Sequence, residues 1–256
     1  MGTALVTGAT AGLGLEFAWQ LATGRHDLVL VARDAERLDE VARQIRAAAG
    51  VDVEVLPADL AEPDDVARVA ARLAVTGEED GDPRPVGLLV NNAGFAVNQR
   101  FVAGELALEE RTLDVMVRAV LVLSHAAVGQ MTERGRGAIL NVGSVAALTA
   151  SGTYAAAKAW VRSFTEGLAV ELKGTGVTAT YVAPGFTRTE FHQRGDVDVS
   201  AIPALGWLDA ARVASDALAD VRRGVVLSTP STRYKAVAAL LRTAPRSAVR
   251  AVGKYR

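Results

Sequence analysis

The first twenty-three residues constrain this chain more than any other stretch. An apolar run, TALVT, passes directly into a turn holding Gly8, Gly12 and Gly14, and an amphipathic pattern follows to Thr23. Glycines spaced G-x-x-x-G-x-G between a strand and a helix let the backbone turn sharply and come close to a pyrophosphate. The ligand's charge is then met by N–H groups at the start of the helix.

The same alternation continues along the chain. DLVLVA, VDVEVL, VGLLVN, GAILNV, VTATYVA and GVVLS are further apolar runs of strand length. Helical patterns separate them at Gly12–Thr23, Ala35–Ala49, Pro63–Ala74, about Leu106–Thr132, Thr153–Lys173 and Asp209–Arg222. Continuous Val/Leu runs suit strands covered on both faces, so the pattern predicts an α/β fold: a doubly wound parallel sheet of Rossmann type, about seven strands, with helices on both sides. No repeat or linker divides residues 1–256, which read as a single domain. GEEDGDPRP, from Gly77 to Pro85, reads as a solvated loop ahead of the fourth strand.

Composition removes several function classes. A formal charge of −1 gives no pull toward nucleic acid. The absence of cysteine excludes disulfides, thiolate chemistry and Cys-based metal sites, and His26, His125 and His192 are too scattered to form a ligand set, so no metal is expected. The first strand starts almost at Met1, leaving no room for a signal peptide, and a cytoplasmic protein is expected. Gly137–Ala157 is uncharged and long enough for a bilayer, at about 20 residues. Its glycines, Asn141, Ser144 and Tyr154 read instead as a strand, a loop and a helix start.

Tyr154 and Lys158 are spaced i and i+4 in TYAAAKAWV, which places them on one helix face. A neighbouring ammonium favours a phenolate, so the lysine is expected to bring the tyrosine toward a usable acid. Asp59-Leu60 follows the third strand, Asn91-Asn92-Ala93-Gly94 closes the fourth, and Asn141-Val142-Gly143-Ser144 closes the fifth. In open α/β sheets ligands bind outside the carboxyl ends of the strands, so these groups are expected to share one crevice.

TGATAGLG, DL, NNAG, NVGS, YAAAK and PGFTRT, in this order and spacing, resemble the short-chain dehydrogenase/reductase family over about residues 3–190. The resemblance implies a nicotinamide enzyme that interconverts carbonyls and alcohols, and a homodimer or homotetramer paired through its long helices. Carried onto this chain, it makes Tyr154 the general acid/base, Lys158 the group that holds the nicotinamide ribose and lowers the phenol pKa, and Ser144 the hydrogen-bond partner of the substrate oxygen. Gly8, Thr10, Gly12, Leu13, Gly14, Asp59, Leu60, Asn92, Ala93, Gly94, Pro184, Gly185, Thr187 and Thr189 would border the cofactor. Two departures stand out. Met116 occupies the place where the family usually carries an asparagine that helps hold a relay water, and the Ser144-to-Tyr154 interval of ten residues is about three shorter than the resemblance leads one to expect.

The second strand ends in Ala32-Arg33-Asp34. An arginine there accommodates a 2′-phosphate where an acidic residue would bind the ribose hydroxyl, so Arg33 favours NADP(H) over NAD. The expected function is an NADP(H)-dependent oxidoreductase, its substrate an apolar carbonyl or alcohol bordered by Phe95, Phe186, Phe191 and Trp207, with residues 186–215 as the substrate loop. The alternatives are a non-catalytic NADP(H)-binding regulator, which has no need of Ser144, Tyr154 and Lys158 together, and a sugar epimerase or dehydratase, which needs a larger C-terminal region. Residues 230–256 form a basic tail: Arg233, Lys235, Arg242, Arg246, Arg250, Lys254 and Arg256 stand there with no acidic residue. Such a tail reads as a solvent-facing helix at a subunit edge or, alternatively, as a contact for an anionic partner, a lipid surface, the substrate site or a neighbouring subunit.

Overall fold

The computed structural model describes residues 2–77, 83–97, 99–191 and 202–252. His192, Lys254, Arg256, the middle of the Gly77–Pro85 loop and residues 192–201 of the expected substrate loop lie outside the described residues.

Seven parallel strands, β1 (Thr3–Thr7), β2 (Asp27–Ala32), β3 (Val53–Pro57), β4 (Val86–Asn91), β5 (Gly137–Val142), β6 (Val177–Val182) and β7 (Leu227–Ser228), form one sheet in the order β3-β2-β1-β4-β5-β6-β7. Helices α1 (Gly12–Thr23), α2 (Ala35–Ala49) and α7 (Ala210–Arg222) cover one face, and α3 (Pro63–Ala74), α5 (Ala119–Glu133) and α6 (Gly152–Glu171) the other, with α4 (Leu106–Leu113) set against α6. Neighbours on β1 divide accordingly: Ala4 and Val6 pack with Phe17 and Leu38, whereas Leu5 packs with Val69 and Leu123. Both faces are dry, which is why the strands read as continuous apolar runs. The order reverses direction between β1 and β4, and the resulting crevice at their C-terminal ends sets the place of the site.

Local chemistry fixes the ends. Asp34 accepts a hydrogen bond from the Arg37 N–H at 3.0 Å and caps α2, and Gly50 closes that helix at a left-handed φ of 63°. Pro63 opens α3, where its missing N–H costs nothing.

Three expectations are corrected. The helix foreseen as continuous over Leu106–Thr132 is interrupted by a π-helical turn at Asp114–Arg118. Just before it the Thr112 hydroxyl donates to the Leu108 carbonyl at 2.9 Å, competing with the backbone ladder. The wider turn leaves Met116 fully buried against the sheet. The strand expected over GVVLS shrinks to Leu227–Ser228, because the Val225 N–H is held by the Asp220 carbonyl at the end of α7. The basic tail makes two helices, α8 (Thr232–Thr243) and α9 (Arg246–Val252), seated on the protein through Ala238 and Val249. The Gly137–Ala157 stretch is β5, a short 3-10 turn and the start of α6, as its polar residues indicated.

Candidate active site

The glycine turn is built by close approach. Gly8 and Gly12 take φ of 66° and 54°, values that residues with a Cβ rarely adopt. A Cβ on Gly8 would stand 2.9 Å from the Asn92 amide nitrogen and one on Gly12 3.2 Å from Thr189 Cβ, while at Gly14 it would collide with the Gly8 carbonyl and the Asn92 amide. The turn, the end of β4 and the segment after β6 therefore meet. Thr7, which sequence reasoning passed over, fastens them: its hydroxyl accepts the Asn92 and Ala93 N–H groups, both at 3.0 Å, and donates to the Val90 carbonyl at 3.3 Å. The Asn92 side chain donates to the Thr7 carbonyl at 2.9 Å. Thr10 is buried in the turn, and Leu13 packs on the sheet core.

At one end of this groove Arg33 is exposed beside Asp59. Burial works to raise the Asp59 carboxyl, but the Ala61 N–H, Arg111 and Arg33 outweigh it and hold the group below the usual carboxylate range. Arg111 of α4 reaches Asp59 at 2.5 Å, a contact that no local motif announces. Arg37 pairs with Glu190 at 3.0 Å, joining the start of α2 to the segment after Thr189. Leu60 is buried behind them.

At the other end, β5 and α6 bring Ser144, Tyr154 and Lys158 together. The Ser144 hydroxyl accepts the Ala146 N–H at 3.0 Å and stands near enough to the Tyr154 hydroxyl to favour its ionised form. Lys158 is 5% exposed; its ammonium donates to the Val142 carbonyl at 2.8 Å and lies 5.8 Å from the centre of the Tyr154 ring. A Cβ on Gly94 would sit 3.2 Å from Met116 Sδ and 3.7 Å from Lys158 Nζ, which puts the thioether behind the lysine. Beneath the site runs a buried polar chain: the Asn91 amide donates to Asn141 at 2.9 Å and to Ser124 at 3.1 Å, and the Asn141 amide donates to Thr165 at 2.9 Å.

The ionisation of this group differs from the expectation that Lys158 would bring the Tyr154 phenol down. Burial pushes the Tyr154 phenol up to about 12, opposed by the nearby Ser144 hydroxyl, and burial pushes the Lys158 ammonium down to about 8. Desolvation disfavours both charged forms and is the largest cause of each shift.

The segment after β6 forms the outer wall. Pro184 accepts the Val145 N–H at 3.1 Å, the Thr187 hydroxyl donates to the Gly185 carbonyl at 3.0 Å, and Thr187 bridges to Leu208. Phe186 meets Trp207 edge-on at 6.0 Å, and Phe191 lies 6.0 Å from Tyr154. The basic tail joins here. The Tyr234 hydroxyl of α8 accepts the Phe186 N–H at 3.1 Å and donates to the Gly206 carbonyl at 2.7 Å, Arg233 donates to the Leu205 carbonyl at 2.7 Å, and Arg246 donates to the Leu148 carbonyl at 3.2 Å.

Comparison with known proteins places this arrangement. The short chain dehydrogenase profile matches residues 2–198. The chain belongs to the short chain dehydrogenase family. It is 37% identical over 192 residues to sulfoacetaldehyde reductase 2 of Chromohalobacter salexigens, a match covering 73% of each protein. Among solved structures, a short-chain dehydrogenase from Sphingobium yanoikuyae in complex with NADPH is 34% identical, with a TM-score of 0.84 over 96% of this chain and 98% of that one. A bulky-bulky ketone specific alcohol dehydrogenase from Comamonas testosteroni is 29% identical, with a TM-score of 0.79 over 96% of both. As a short chain dehydrogenase, the chain is an NAD(P)-binding oxidoreductase acting on CH–OH and C=O groups.

Proposed function

We propose that this short chain dehydrogenase is an NADP(H)-dependent enzyme that interconverts an apolar ketone or aldehyde and its alcohol, with Tyr154 exchanging the proton at the substrate oxygen. The observation that carries the reading is the meeting of Ser144, Tyr154 and Lys158 at one end of a groove whose other end holds Arg33.

The groove fits a dinucleotide. Gly8, Gly12 and Gly14 leave a cradle that Cβ atoms would fill, and the N–H groups at the start of α1 suit a pyrophosphate. Thr10, Leu13, Asn92, Ala93, Gly94, Pro184, Gly185, Thr187 and Thr189 border it, with Asp59 and Leu60 at the adenine end. Asp34 has its carboxylate turned to the cap of α2, which leaves Arg33 as the charged group facing a 2′-phosphate. Bound there, the nicotinamide supplies or accepts the hydride.

The residues do the rest. Ser144 and Tyr154 hold the carbonyl oxygen between two hydroxyls, and Tyr154 delivers its proton as charge develops on that oxygen. A high phenol pKa keeps this proton in place until the reaction demands it. Lys158, fixed by Val142, holds the ribose and steadies the phenolate once it forms. Phe186, Phe191 and Trp207 supply an apolar wall, which favours a substrate with bulky hydrocarbon groups. Exposed Leu106, Leu121 and Val170 on α4, α5 and α6 support a homodimer or homotetramer, and the family's fold supports a cytoplasmic setting.

The test is a screen of NADPH oxidation across aryl ketones, steroid-like ketones, β-ketoacyl thioesters and sugars. Turnover of apolar ketones, with NADPH preferred over NADH, is the expected result. Binding of NADPH without turnover of any carbonyl would point instead to a regulator.

A further inference from the structure

Tyr181, near the end of β6, is 2% exposed, and the proposed chemistry makes no use of it. Its hydroxyl accepts the Ser144 N–H at 3.0 Å and donates to the Ser144 carbonyl at 2.9 Å, with the Lys158 carbonyl 3.4 Å away. Backbone bonds to the β6 side flank the serine, the Gly143 N–H donating to the Val182 carbonyl at 2.8 Å and the Val145 N–H to the Pro184 carbonyl at 3.1 Å. Between these two, Ser144 itself bonds to no β6 backbone group: the phenol takes its N–H and shares its carbonyl with the Ala147 N–H at 3.2 Å.

The ring reaches this position only because residue 143 is glycine. A Cβ there would fall inside the Tyr181 ring, against its outer carbons and hydroxyl. Gly143 and Tyr181, far apart in sequence, are a matched pair in space. Burial raises the Tyr181 phenol above its ordinary value, with Arg162 and Glu166 of α6 the charged groups nearby, so it remains a donor throughout the working pH range.

We propose that Tyr181 is a positioning residue: by clamping both backbone groups of Ser144 it fixes the angle at which the Ser144 hydroxyl meets Tyr154, and glycine at 143 is the condition for the clamp. The proposal rests on the reading of Ser144 and Tyr154 as the reacting pair. A displacement of the serine by a fraction of an ångström takes its hydroxyl away from the Tyr154 hydroxyl and thereby raises the tyrosine's pKa during reaction.

The test uses Tyr181→Phe, which keeps the ring and removes the hydroxyl, in the full-length enzyme with an aryl ketone and its alcohol. The kcat is expected to fall about 10- to 100-fold, and the inflection of the pH–rate profile for alcohol oxidation to move up by about one unit. The NADPH dissociation constant should stay within about twofold, since no cofactor contact is lost. In a Ser144→Ala background the same change should cost less than about twofold, because the clamp then has no hydroxyl to aim. Wild-type kcat and inflection in Tyr181→Phe, or an equal loss with and without Ser144, overturns the proposal. If circular dichroism shows Tyr181→Phe unfolded, Gly143→Ala, which displaces the ring and keeps the hydroxyl, carries the same expectation, and wild-type kcat there overturns it equally. A wild type that binds NADPH but reduces no ketone counts against the site reading itself, whereas an active wild type matched by Tyr181→Phe counts only against the clamp.

Discussion

Lys158 holds the carbonyl of Val142 at 2.8 Å, tying the middle of α6 to the last residue of β5 through a nearly dry ammonium. The burial that accompanies that bond lowers the lysine's pKa from 10.5 to about 8. Between those two values the folded protein releases the proton before the unfolded chain does. Wild-type stability therefore rises with pH across that window and is weakest below it.

Lys158→Met should accordingly melt higher relative to wild type at pH 7 than at pH 10. The advantage should shrink through the window by a few kcal/mol, at about 1.4 kcal/mol per pH unit. Differential scanning calorimetry of the cofactor-free protein reads this directly. A gap independent of pH would show that the lysine is not held against its charge. The same variant should lose both cofactor affinity and rate, because one side chain serves two roles.

Tyr154→Phe removes the proton donor and no assigned contact with the dinucleotide. Turnover should drop by about 10²–10⁴-fold, the range for a positioned acid. NADPH affinity measured by fluorescence should be nearly unchanged. Preserved turnover would remove Tyr154 from the chemistry.

Arg33→Ala should weaken NADPH binding by about 1.5–3 kcal/mol, or about 10- to 150-fold, for a lost charge-assisted hydrogen bond. NADH should lose little. Equal losses for both would mean that Arg33 does not read the 2′-phosphate, and attention would pass to Arg37.

The tail is expected to serve the pocket. Tyr234→Phe leaves the Phe186 N–H and the Gly206 carbonyl without their shared partner, so the ketone KM should rise severalfold while NADPH affinity holds. A chain ending at Thr229 should lose activity altogether and, in flotation with acidic vesicles, neither form should bind. Salt-sensitive flotation of the full chain alone would instead assign the basic helices to a lipid surface.

Light scattering at micromolar concentration should give at least twice the 26.7 kDa chain mass, since Leu106, Leu121 and Val170 stand 65%, 45% and 75% exposed on α4, α5 and α6. A strictly monomeric mass would leave those side chains without a partner.

Residues close in sequence made much of this protein readable in advance. The glycine turn, the continuous Val/Leu strands and the i, i+4 pairing of Tyr154 with Lys158 each express a backbone rule acting over a few positions, and together they sufficed for the sheet and for one end of the groove. What the sequence alone did not reveal depends on contacts between distant segments. That Arg111 would lie on Asp59, that Thr7 would fasten β1 to β4, that Tyr234 would hold both ends of the outer wall, and that Gly143 makes room for Tyr181 are consequences of which surfaces the packed sheet brings face to face. The pKa values followed the same division. Spacing put an ammonium near a phenol, but only the volume of protein around both determined that desolvation shifts the two pKa values in opposite directions.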